Sequence, residues 1–425
     1  MIELTKRRLP KAAHAAPVLA LAMSVSLASH ANEVTISHYF TGELGKAAID
    51  RIAGNFAEES GFTLKDSPVG HEDFKTDILV RAAGGSLPDV FSYWAGARVQ
   101  FVVDSNSLTP IDDMWAREGM DDVIAKALAD SATLYNGNRY LVPAGYHYAG
   151  FFYNKKVMDD AGVEEFPTDW EGFLALCDTL KEMGVAPIAL GSKNRWPAQF
   201  WFDYLILRTA GPDYRASLMD GSASYDDPEV HTAMAMWKDL VDRGYFVENA
   251  NADSWTDASD RVSRGEAAMT LMGTWITGYW NGNGLSPGED YDFFEFPAIT
   301  EGVPNAVVGP VDGWVISANA ENIPGAEAWL AYFIKNVDAQ VEWASVQGAL
   351  SGNVNVDPSV YNSVMQRASA AVAAAEAFAF NYDLATPPPV AEVGLSMFAE
   401  FMDDPDNYAS LLSDSQDAAM QAFDN

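Results

Sequence analysis

The sequence predicts an α/β protein built of two lobes, and three observations point there. A chain of 425 residues with 48% hydrophobic side chains has apolar matter enough for a large core divided between lobes. Between residues 34 and 94 short apolar runs alternate with amphipathic stretches, the pattern of a parallel sheet covered by helices on both faces. Residues 139–184 then open such a unit afresh, as a second lobe would.

The N-terminus stands apart. Lys6, Arg7, Arg8 and Lys11 precede a small, apolar stretch at 12–28, and Ser29-His30-Ala31 offers a small-x-small cleavage site. This is the pattern of a secretory signal peptide over residues 1–31, and its apolar run falls short of the about 20 residues a membrane span needs. No later stretch approaches that length, so no membrane insertion is expected.

Residues 34–40 read as the first strand, Thr41-Gly42-Glu43 as a turn, and 44–59 as a helix carrying Ala48, Ile52 and Phe56 on one face up to Gly61. A second strand at 62–64, a helix at 74–83 stopped by Gly84-Gly85, and a third strand from Pro88 to Trp94 follow. Ligands of such sheets sit beyond the carboxyl ends of the strands, where Glu43 and Trp94 both fall.

The second lobe opens with an uncharged, aromatic strand at 146–153 and a helix at 155–161 ended by Gly162. Thr168 and Glu171 form a predicted capping box ahead of Trp170, Leu174, Cys177 and Leu180, with Gly184 as the stop. A strand at 186–190, a nearly uncharged helix at 197–210, helices at 228–243 and 254–265, and a strand at 267–272 lead into Gly273-Thr274-Trp275. Beyond the loop 281–287, apolar runs at 293–297 and 311–317 precede a helix from Pro324 and an Ala-rich helical tail broken at Pro387-Pro388-Pro389.

The formal charge of −34 repels phosphate backbones, so no nucleic-acid partner is expected. Cys177 is the single cysteine, which leaves no disulfide framework and no cysteine at the cleavage site for a lipid anchor. The expected product is a soluble, unlipidated, monomeric protein of the periplasm.

Motifs for covalent or metal chemistry fail one by one. Gly284-Leu285-Ser286-Pro287-Gly288 spells GxSxG but follows an Asn/Gly loop, whereas a nucleophile elbow needs a strand before it and a helix after it. His38, His71, His147 and His231 show no paired metal-ligand spacing, and no cofactor or metal is expected. Asp403-Asp404-Asp406 lacks the glycine and glutamate of a calcium loop. Paired carboxylates of a glycosidase need only be close in space, so hydrolysis stays open at this point. What stands out is a set of aromatics at strand ends and turns: Trp94, Tyr146, Tyr148, Trp275, Tyr279, Trp280 and Trp314. Sugar rings have apolar faces and a hydroxyl rim. Flat aromatics cover the faces, and Glu43, Arg98, His147 and Asp312 lie close enough in sequence to serve the rim.

Four stretches then carry a resemblance: LPDVFSYWAGAR at 87–98, GFFYNKKVMDDAGVEEFPTDWEGF at 150–173, RGEAAMTLMGTW at 264–275, and GWVISANAENIPGAEAWLAYFI at 313–334. Together they resemble the bacterial extracellular solute-binding proteins of the carbohydrate group, relatives of the maltose-binding protein that serve ABC importers. The resemblance implies a two-lobe periplasmic-binding-protein fold, with a ligand cleft between lobes joined by hinge crossovers. It puts residues 32–143 and about 295–316 in lobe 1, and 144–294 and about 317–425 in lobe 2, with crossovers near Pro143, 293–297 and 315–317. It implies a non-enzymatic sugar carrier, expected to take a di- or oligosaccharide and to pass it to a permease with its ATPase.

By position Trp94 matches a sugar-stacking tryptophan, Arg98 the arginine four residues on, Trp275 the cleft tryptophan of G-x-W, and Glu43 the polar turn after the first strand. Ala97 and His147 replace two acidic hydroxyl acceptors of the maltose binder, which argues against maltose itself. Residues 192–211 look like relatives that take other oligosaccharides, which adds Trp196 and Gln199; Tyr146, Asp312 and Trp314 complete the expected site. Glycerol-3-phosphate or another polar solute is the second reading, and a secreted glycosidase the third.

Overall fold

A computed structural model describes residues 32–423, so the predicted signal peptide lies outside the described residues. Glu33–Ser37 pairs in parallel with Thr63–Asp66 on one side and Val90–Trp94 on the other. The helices Glu43–Ser60 and His71–Gly84 are the crossovers of this unit, and the first buries Ala48, Ile49, Ile52 and Phe56 against it. Val311–Ile316 then inserts between Val90–Trp94 and Leu141–Tyr146, antiparallel to both, and completes a five-stranded sheet. All of its residues are buried, as in a central strand covered on both faces. The second sheet runs Tyr291–Phe294, Ala149–Asn154, Ala267–Gly273, Ala186–Ile188, and only its last pair is parallel. Both sheets are therefore mixed, where parallel pairing was expected. Strands that arrive from the other lobe enter against the local direction.

Each sheet has its own core. Trp314, Trp329 and Phe333 pack together in the first, and Phe151, Trp201 and Phe296 in the second. The chain passes between them at 146–149 and 308–311, and again after Val354, whose N–H still donates to Val123 of the first lobe. Two expected crossovers are thus corrected. Residues 293–297 belong to the second lobe, where Phe293 and Phe294 pair with Phe152 and Phe151, and Val315 lies within the first sheet.

The helices Ile323–Lys335 and Val337–Gln347, expected in lobe 2, lie on lobe 1, where Arg117 reaches Glu327 at 2.8 Å and Lys335 reaches Glu118 at 3.0 Å. The reason is packing: a helix leaving Val311–Ile316 covers the sheet that strand has just completed. A smaller correction concerns the helix Trp170–Glu182, whose cap is Asp169, accepting from Gly172 N–H at 2.8 Å, while Thr168 gives its carbonyl to Ala298.

Candidate functional site

A cleft of about 660 Å³ lies between the lobes, and the crossovers make its floor. They run so close that a Cβ on Gly309 would stand 1.8 Å from the His147 carbonyl oxygen, so only glycine fits. His147 Nδ1 lies 3.1 Å from the Gly348 carbonyl oxygen. The same nitrogen is 3.0 Å from Thr274 Oγ1, and Nε2 is 3.1 Å from Asp312. The Tyr39 hydroxyl donates to the other Asp312 oxygen. Burial, and then the Asp312 charge, push the Tyr39 phenol well above the usual tyrosine range, so it stays a donor.

The first-lobe wall forms where the strands end. Trp94 closes Val90–Trp94 and stacks on Tyr39 with centroids 4.2 Å apart and planes at 13°. The facing wall belongs to the second lobe. Trp275 follows the strand Ala267–Gly273 and packs on its own Gly273, where a Cβ would come within 1.9 Å of the indole. Its ring centroid is 5.9 Å from Trp196 and 6.0 Å from Phe200.

Trp196 sits in a helical turn after Arg195, a non-glycine residue at φ 64°, and its indole N–H crosses to Glu72 of the first lobe at 3.1 Å. Burial would raise the Glu72 carboxyl, but the bond and charge of His71, with Lys75 and the Trp196 indole, outweigh it and hold it low.

The tail supplies the rear of the cleft. Asp383, buried in the segment Tyr382–Ala385, is 3.4 Å from Lys75 and 3.3 Å from Arg98, both of the first lobe. It also accepts from Asn381 at 2.7 Å, and its backbone N–H donates to Gln199 at 2.8 Å. Burial alone would raise its carboxyl; Lys75 and Arg98 overcome that and hold it below the usual carboxylate range.

Of the expected site residues, Glu43, Trp94, His147, Trp196, Gln199, Trp275 and Asp312 line this cleft. Three do not. Trp314 is wholly buried one layer deeper, between Trp329 at 5.7 Å and Phe40, a cleft residue, at 6.1 Å. Tyr146 pairs with Val311 and Leu350 at the crossovers and turns its ring to Phe378. Arg98 is buried behind Trp94, 5.9 Å from its ring, and acts through Asp383.

Sequence reasoning missed Tyr39, His71, Lys75, Trp255 and Asp383 as lining groups. Only Tyr39 gave a local signal, as an aromatic at the end of the first strand. Among the described residues no three His, Cys, Asp or Glu side chains gather as a metal site.

Comparison with known proteins adds the family. Residues 41–340 match the bacterial extracellular solute-binding proteins. An uncharacterized ABC transporter extracellular-binding protein of Pyrococcus horikoshii is 31% identical over 340 residues, 79% of this chain and 75% of that one. A protein of Mesorhizobium japonicum described as a probable sugar-binding periplasmic protein is 30% identical over 65% of this chain and 67% of its own. Among solved structures the bacterial solute receptor AcbH, described as preferring β-D-galactopyranose exclusively, superposes with a TM-score of 0.85 at 26% identity, over 92% of this chain and 99% of its own.

Proposed function

The chain belongs to the family of bacterial extracellular solute-binding proteins, and from that premise we propose that it is the periplasmic sugar receptor of an ABC importer. The observation that carries the reading is the pairing of two aromatic walls, Trp94 on Tyr39 and Trp275 on Trp196, above the polar floor of His147 and Asp312. A sugar ring between the walls buries its apolar faces, and its hydroxyls meet the acceptors and donors of the floor. Ligand that touches both lobes stabilises their closed arrangement, and the closed receptor, acting as a monomer, presents the sugar to the permease.

The charge of the cleft favours a neutral ligand. Lys75 lines it but lies against Asp383, and Arg98 is buried behind the wall. Glycerol-3-phosphate would need free cations at the phosphate, and Glu43, Asp312 and Asp383 would oppose it instead. Asp383 does not suit the general-acid role that hydrolysis needs. A glycosidase needs a carboxyl kept protonated by a raised pKa, whereas Asp383 is held low by its cations.

The test is a thermal-shift screen of residues 32–425 against neutral mono-, di- and trisaccharides and glycerol-3-phosphate. A hundredfold excess of ligand over Kd adds about 2.7 kcal/mol to the folded state. A rise with one sugar class supports the reading; a rise with glycerol-3-phosphate alone, or with nothing, overturns it.

A further inference from the structure

A second cavity, of about 700 Å³, lies on the second lobe and shares no lining residue with the cleft. One side of it is the edge strand Tyr291–Phe294 with the stretch that follows, and the other is the helix Ser363–Ala374. On that helix Arg367, Ala370, Ala371 and Ala374 recur at helical spacing, so the helix offers the cavity methyl groups where long side chains would fill it. The facing side is aromatic: Phe166 stacks on Phe294 with centroids 5.0 Å apart, and Phe296 lies flat on Tyr204 at 4.6 Å. The end of the helix Gln199–Thr209 adds Arg208 to the lining.

Three arginines are buried among the described residues, and Arg208 differs from the other two. Arg98 lies 3.3 Å from Asp383, and Arg215 lies 2.6 Å from Asp203, so each has a counter-charge. Arg208, only 4% exposed, has no carboxylate at ion-pair distance. It donates to the Ala306 carbonyl at 2.8 Å and to the Phe296 carbonyl at 3.4 Å, and its guanidinium stands 5.4 Å from the Tyr204 ring. Those two bonds use two of the five N–H donors of a guanidinium. A buried charge met only by neutral groups is costly, and a carboxylate in the cavity would supply the missing counter-ion. Arg367 is already paired with Asp292. Glu295, exposed on the same lining, has no hydrogen-bond or ion-pair partner among the described residues, and it directly precedes the Phe296 carbonyl that Arg208 holds. A simple anion would meet Glu295 as a like charge. A ligand carrying both charges answers both residues.

We propose that this cavity is a second binding site, separate from the cleft, for a free amino acid with an apolar side chain. Its carboxylate pairs with Arg208, its ammonium group with Glu295, and its side chain lies between the phenylalanines and the methyl groups of Ala370, Ala371 and Ala374. The inference goes beyond the sugar-receptor reading and does not depend on it.

The test is calorimetric titration of residues 32–425 with two sets of probes. One is L-phenylalanine with 3-phenylpropanoate and phenethylamine, and the other is L-leucine with 4-methylpentanoate and 3-methylbutylamine. At least one amino acid should bind, and each of its two analogues should bind about tenfold more weakly, the size of one lost charged contact. Glu295→Gln, an exposed change, should remove the preference for the amino acid over its carboxylate analogue. Arg208→Gln should remove binding of both. Because Arg208 also holds two backbone carbonyls, that variant endangers the fold, and Ala370→Trp guards against this: it fills the cavity from an exposed helix position and should abolish binding while the melting temperature stays near wild type. No binding of either amino acid, a carboxylate analogue that binds as tightly as its amino acid, or binding that survives Ala370→Trp overturns the site. Each of these outcomes leaves the sugar-receptor reading of the cleft untouched.

Discussion

His147 and Asp312 meet at 3.1 Å, so the first and second crossovers are joined by side chains at the floor of the cleft, and the Nδ1 contact to Gly348 ties in the segment that precedes the third. One imidazole thus links the first two connections between the lobes, and Thr274 adds the second lobe's cleft helix. His147→Ala should cost about 2 kcal/mol of stability, because it leaves several buried polar groups without a partner. Urea denaturation measures that loss, and the sugar panel should change in the same variant. An unaltered midpoint and ligand profile would remove His147 from both roles.

Trp275→Ala should weaken sugar binding at least tenfold with a melting temperature within a few degrees of wild type, since the ring is only half-buried. Gly273→Ala approaches the same wall from beneath. Its methyl group would stand where the indole now lies, so the ring must move, and affinity should fall although position 273 itself offers nothing to a ligand. Calorimetry on the two variants checks whether the losses match; full affinity in Gly273→Ala would show that the wall position is not critical.

Asp383 gives a pH signature. Its folded-state pKa is held below the unfolded value of about 3.9, so its stabilising effect is complete above that pH and is lost as pH falls through the folded value. Asp383→Asn leaves Lys75 and Arg98 without their counter-charge and should cost about 3 kcal/mol at neutral pH. The gap between wild type and variant should begin to close below about pH 4 and narrow further as pH falls through the folded value. Denaturation midpoints from pH 7 to pH 3 read this, and a gap that widens in acid would contradict the sign.

Glu72 holds the Trp196 indole from the opposite lobe at 3.1 Å, a bond that exists only when the lobes are close. Glu72→Ala should speed ligand release severalfold with a smaller effect on the association rate, because it weakens the closed state and leaves the open one untouched. Stopped-flow displacement separates the two rates; equal changes in both would place Glu72 outside the closing step.

The fold class and the inner walls were legible in the sequence. Trp94 and Trp275 stand directly at strand ends, and a strand end is where an α/β sheet offers side chains to a ligand. Depth was not legible. Asp312 and Trp314 sit two residues apart on one strand, yet the first faces the cleft and the second lies under Phe40, because position along the strand decides which residue a neighbouring ring covers. Nor was the rear wall legible. Asp383 comes from the tail, and only the folded chain brings it to Lys75, far off in sequence. The lobe boundaries failed for a related reason: the apolar runs at 293–297 and 311–317 look alike in composition, and only strand pairing shows that one closes the second sheet while the other is central to the first.

The insertion of Val311–Ile316 between two N-terminal strands also governs the order in which the molecule can be assembled. A ribosome that has made the first three hundred residues holds a first lobe with its central strand missing and its strand Leu141–Tyr146 detached. The helices that seal this sheet arrive later still, and the second lobe waits for the helices Pro388–Asp403 and Tyr408–Phe423. The first lobe is complete only after Val354 is made and the second only after its last helices, and long-range pairing of this kind is slow. Completion of both lobes therefore depends on segments from the later part of the chain meeting strands made far earlier.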